Sequence, residues 1–267
     1  MSAFSKCALL LFGIALASCT STRETRTVGF EEIASPEVAE INADLRSGPL
    51  TMDVGIFVPR NLDPGFDDVT VELLLDGVRY AKEVFAQADV QIRLLWIKTE
   101  TIDPAFLSLM ESSAPSMPAS RHVGMYTKYR RNPTKLSPQA RSAFESMIEP
   151  HADNSRTLHL IVLQDVFMPY YAENEAGDYV FAVTPTSGLS FPGYMFGKEM
   201  PHRLRGAITL TNLNRGENSA KTIAHELGHK VLNVSHEYMD TPPGFEIVGQ
   251  GGLMIYGSGT EIPSGRE

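Results

Sequence analysis

Toward the C-terminus, His225-Glu226-Leu227-Gly228-His229 has the residue types and the spacing for metal chemistry. On an α-helix, residues four apart share a face, so His225 and His229 point the same way and two ring nitrogens can close on one cation. Glu226 follows the first histidine and brings a carboxylate to the edge of the same site. Two imidazoles on a zinc ion, beside a carboxylate that takes a proton from water activated by the metal, form the apparatus of a zinc hydrolase. The plain alternative is a surface helix with two solvated histidines, and the surrounding residues weigh against it.

The pentapeptide lies within residues 217–236, ENSAKTIAHELGHKVLNVSH. Asn218 or Ser219 can cap a helix here. Ile223, Leu227 and Val231 recur at four-residue steps and are expected to turn the opposite face into the core. A catalytic zinc takes three protein ligands, so a third is needed. Asn233 tolerates the left-handed conformation that ends a helix. The chain can turn back there and bring His236 to the metal. Glu237, Asp240 and Glu246 are the acidic rivals for that position.

The elements that must hold this helix lie upstream. Residues 50–58 read as a strand stopped by Pro59, and residues 69–87 as a long helix in which Leu74, Val78, Ala81 and Phe85 make one apolar stripe. Residues 90–97 alternate as a second strand. Strand, helix and strand make a crossover unit, so the two strands are expected to be parallel. Residues 137–148 read as a further helix in a proline-broken region. Residues 158–163 read as a central strand, in which His159 is a core or edge residue and not a ligand. The stretch 165–205 is rich in Tyr, Phe, Gly and Pro. It is expected to be a long irregular cleft wall, with 179–183 as a short edge strand. Residues 207–213 read as another strand, expected to be the edge along which an extended peptide lies.

The beginning of the chain reads as a targeting segment. Lys6 precedes an apolar run at 8–16, too short to span a bilayer. Leu16-Ala17-Ser18-Cys19 resembles the bacterial lipobox, which implies a signal peptide over 1–18 and lipid on Cys19. Thr20, in place of an acidic residue, implies the outer membrane. The two cysteines of the chain are Cys7 and Cys19, so no disulfide is expected in the mature protein. Residues 19–48 are polar and read as a tether with a short helix over 36–46, and residues 49–267 as one catalytic domain. A net charge of −9 with no basic run argues against a nucleic-acid partner.

Taken together, these residues resemble the metzincin clan of zinc endopeptidases, whose motif is HExxHxxGxxH followed by a methionine-containing turn. His225, Glu226 and His229 match the helical part. Met254, within GLMIYG, matches the turn, and Tyr256 matches the Met-x-Tyr form of astacin-like and serralysin-like members. The resemblance runs over most of residues 50–257. It implies an α+β fold: a mixed twisted sheet, a long backing helix, an active-site helix and a small C-terminal subdomain. It also implies zinc on His225, His229 and His236, Glu226 as general base, Tyr256 as a transition-state or zinc-binding group, a peptide or protein substrate, and a monomer. The chain departs from the clan in having six residues between His229 and His236 where the clan has five. Asn233 replaces the turn glycine but keeps its offset of three before the last histidine. A gluzincin-like hydrolase with an acidic third ligand, or a non-catalytic zinc-binding lipoprotein, are the competing readings.

Overall fold

Chain order begins with β1 (Glu31–Ile33), α1 (Ser35–Ile41), β2 (Leu50–Pro59), α2 (Val71–Ala86), β3 (Val90–Glu100) and β4 (Ser108–Met110). It continues with α3 (Pro138–Met147), β5 (Leu158–Val162), β6 (Asp165–Glu173), β7 (Tyr179–Pro185), β8 (Gly188–Leu189), β9 (Ala207–Leu210) and α4 (Ser219–Leu232). These elements come from a computed structural model that describes residues 30–62, 69–113, 135–150, 156–191, 196, 200–211, 219–232 and 253. Among the described residues the fold is mixed α+β, with four helices and a mixed six-stranded sheet of order β1-β3-β2-β5-β9-β8 beside a three-stranded sheet of order β4-β6-β7.

The crossover unit forms as its sequence dictates. Thr70 caps α2 by accepting the Leu73 amide on its hydroxyl. Leu74, Leu75, Val78, Ala81, Val84 and Phe85 then place one stripe of α2 against the sheet. β2 and β3 pair in parallel, Leu50 opposite Val90 and Pro59 opposite Glu100. β5 and β9 continue the parallel set, and the antiparallel strands β1 and β8 close its two edges.

Strands of this parallel set are covered on both faces, as parallel sheets require. One face carries α1, α2 and α4 over Ile56, Leu94, Leu160 and Ile208. The other carries α3 and the Phe191–Phe196 pair over Phe57, Ile161 and Ala207. The contact that fixes α4 is its crossing with α2 at Gly77. A Cβ built there would lie 2.6 Å from Ile223 Cδ1, so a larger residue would push the Ile223 side chain aside, while the backbone of α4 stays at ordinary contact distance (Ala220 O at 3.6 Å).

Four expectations change. Residues 31–41, expected in the tether, are instead part of the fold. β1 pairs with β3, Val38 and Ile41 are buried, and Asn42 both donates to the Leu94 carbonyl (2.7 Å) and accepts the Leu94 amide (3.0 Å). Their polarity reflects an edge strand and a helix with one buried side. The strand at 207–210 is not an edge, because β8 pairs along it, Gly188 opposite Leu210 and Leu189 opposite Thr209. The stretch after Asp165 is not irregular: β6 and β7 form a long hairpin turned at Gly177, whose φ is 86°. Val231, expected in the core, is 47 % exposed. It lies one turn beyond Leu227, the last α4 residue in the core cluster. No helix among the described residues is long and apolar enough to cross a membrane.

Candidate metal centre

α4 presents three faces of different chemistry because successive residues advance by about 100°. Ile223, Ala224 and Leu227 are fully buried against the sheet and α2. His225 and His229 project from another side, with ring centroids 4.6 Å apart and planes at 82°. Glu226 and Lys230 fall between, one turn apart. His225, Glu226 and His229 are the group of side chains among the described residues whose ligand atoms converge, all within 4.8 Å of one another. His229 and Glu226 are buried and His225 is half-buried.

A backbone group orients the first histidine. His225 Nδ1 lies 2.6 Å from the carbonyl oxygen of Leu253. A carbonyl only accepts, so Nδ1 carries the proton and, in the neutral ring, Nε2 bears the lone pair. Such outer hydrogen bonds fix the tautomer and ring direction of metal-binding histidines. Burial pushes the His225 pKa below the ordinary histidine value, with the Leu253 hydrogen bond opposing the shift. The ring therefore stays neutral, the form that binds metal.

Glu226 sits in a narrower place. Gly188 of β8 lies directly against it: a Cβ on residue 188 would be 2.7 Å from Glu226 Cγ and 2.8 Å from Oε1. Burial pushes the Glu226 pKa up to about 8, with the charge of Lys230 acting in the opposite direction. Lys230 is in turn pushed down to about 7 by burial, against the pull of Glu226. Glu226 Oε2 is buried and has no hydrogen-bond partner among the described residues. A buried carboxylate oxygen without a partner is costly. A divalent cation at the adjacent histidines would relieve that cost by stabilising the ionised form. The convergence of the His225, Glu226 and His229 ligand atoms and the unpartnered carboxylate oxygen fit a metal ion.

His236, Met254 and Tyr256, and the rival ligands Glu237, Asp240 and Glu246, lie outside the described residues. Leu253, immediately before Met254, is buried in the core cluster that includes α4. His159 is buried in β5 with its ring 5.9 Å from that of Trp96, away from the convergent group. Sequence reading missed Lys230, Gly188 and the Leu253 carbonyl. A single lysine on a helix reads as surface, and only the fold brings β8 and Leu253 to α4.

No protein-family model matches the chain, and no curated protein matches it. What the geometry defines is a mixed α+β protein with a buried His-Glu-His group able to hold a metal ion.

Proposed function

We propose that this protein is a zinc metallopeptidase of the metzincin type, with residues 49–267 and the packed segment before them as its catalytic domain. The observation that carries the proposal is the convergence of His225 and His229 beside the buried Glu226, with His225 Nδ1 already engaged by Leu253. His225, His229 and His236 hold the metal. Zinc, when bound, supplies Lewis acidity that polarises a carbonyl and brings the pKa of a coordinated water toward neutrality.

The remaining work falls to the chain's own residues. Glu226 accepts a proton from the attacking water on its unpartnered Oε2 and delivers it to the leaving amine. Leu253 holds the His225 tautomer throughout. Tyr256 donates to the oxyanion of the tetrahedral intermediate. The substrate is a peptide in extended form. β8 is the terminal strand of the main sheet and lies against Glu226. It therefore replaces 207–213 as the strand along which a peptide adds. Lipid on Cys19 tethers the enzyme to the bacterial outer membrane, and the protein acts there as a monomer.

The test is hydrolysis of a mixed peptide library by the purified full chain. Cleavage that stops on chelation and returns with one equivalent of zinc is the expected result. Intact peptides with zinc bound would favour the binding-protein reading. Zinc retained by a His236→Ala variant would transfer the third ligand to an acidic residue such as Glu246.

A further inference from the structure

Lys230 has no step in the proposed chemistry, yet its position is closely defined. It stands one turn after Glu226, and its Nζ donates to the carbonyl of Phe191 at 3.0 Å. Phe191 follows β8 by two residues. Its side chain is buried, packed edge-on against Phe144 at 5.0 Å and tilted against Phe196 at 5.2 Å. Its φ is 48°, in the left-handed region that a residue with a bulky side chain rarely adopts. Such a conformation persists only where the surroundings over-determine it. Here the aromatic cluster grips the side chain and Lys230 grips the carbonyl.

The other end of the same short segment is also in contact with α4, because Gly188 packs on the Glu226 side chain. Between these two points, among the described residues, β8 pairs with the sheet through β9, with Thr209 Oγ1 donating to the Leu189 carbonyl at 3.3 Å. A strand of two residues has little pairing of its own to hold its register.

We infer that Lys230 is a positioning residue, a tie from the site helix to the end of β8 that sets the distance between Glu226 and the strand receiving an extended substrate. What β8 receives rests on the peptidase reading; the tie itself does not. Truncating the ammonium frees the Phe191 carbonyl and loosens 187–191, so peptides dock less well while the metal site stays intact. An arginine can reach the same carbonyl with an N–H donor.

The experiment compares the full, zinc-loaded wild type with Lys230→Met, Lys230→Gln and Lys230→Arg. Amide hydrogen exchange over 187–191 is read together with kcat and KM on an extended fluorogenic peptide. Loss of the hydrogen bond to the Phe191 carbonyl predicts exchange about tenfold faster in the Met and Gln variants, and a KM about tenfold higher with kcat nearly unchanged. Zinc stoichiometry is retained, and the Arg variant restores both readouts. Unchanged exchange over 187–191 in the Met and Gln variants overturns the inference, as does faster exchange with no change in KM. If the zinc-loaded wild type cleaves no peptide, the peptidase reading fails. Exchange alone then judges the tie: faster in Met and Gln and restored in Arg upholds it, unchanged overturns it.

Discussion

His225 Nδ1 and the Leu253 carbonyl oxygen are 2.6 Å apart, a hydrogen bond between residues 28 positions apart in the chain. It joins the helix carrying His225 and His229 to Leu253, the residue before Met254 in the sequence. His225 also contributes a ligand atom to the convergent group it forms with Glu226 and His229.

This relationship predicts a tautomer. Long-range proton–nitrogen NMR spectra of the metal-free protein should show His225 protonated on Nδ1. Because burial lowers its pKa, the ring should remain neutral below the pH at which an ordinary histidine charges, near 6.5. A proton on Nε2 at neutral pH would contradict this arrangement.

Glu226 predicts a pH-dependent stability. Its pKa rises from 4.5 in the unfolded chain to about 8 in the metal-free fold. The folded state therefore holds a proton that the unfolded state releases between those values, and the fold loses stability as pH rises through that window. Glu226→Gln removes the effect. Above pH 8, the metal-free variant should melt higher than the metal-free wild type, by about 5 °C. Lys230, pushed down to about 7, is then largely neutral and does not offset the gain. Below pH 4.5 the difference should vanish. Differential scanning calorimetry across pH 4–9 measures it.

Gly188→Ala should separate metal binding from catalysis. Its Cβ would displace the Glu226 side chain, whose Cγ and Oε1 lie within 2.8 Å of the built position. Misplacing a catalytic group by about 1 Å costs on the order of a hundredfold in rate. The variant should bind zinc with wild-type stoichiometry and lose about that much kcat.

Asn42 reports on whether the segment before residue 49 belongs to the domain. Its side chain makes two hydrogen bonds to the backbone of Leu94. Asn42→Ala should cost about 2 kcal/mol in urea denaturation, with zinc content unchanged. A free tether would show no change in stability.

Much of this architecture is written in local periodicity. The stripe Leu74–Val78–Ala81–Phe85, the alternation over 90–97 and the apolar run at 158–163 each form as read. The HExxH spacing likewise places His225 and His229 on one helix face. What escaped has no local signal. β8 has two residues, too few for any alternation, and exists because β9 offers it an edge. The β6–β7 hairpin lacks an apolar-in, polar-out pattern, with Val180 and Phe181 both exposed, so it read as irregular. Residues 31–41 are polar in sum because β1 lies at an edge and α1 buries only Val38 and Ile41. The roles of Leu253 and Lys230 depend on backbone carbonyls brought near by the fold, which residue types do not announce.

The central claim is that one glutamate beside a zinc ion carries proton transfer in peptide hydrolysis. The most direct measurement is peptide hydrolysis by Glu226→Gln alongside its zinc content. The account predicts one zinc per chain, as in the wild type, with hydrolysis reduced by at least about a hundredfold, the size expected of a lost general base. A zinc-loaded Glu226→Gln variant that cleaves peptides at the wild-type rate would contradict it.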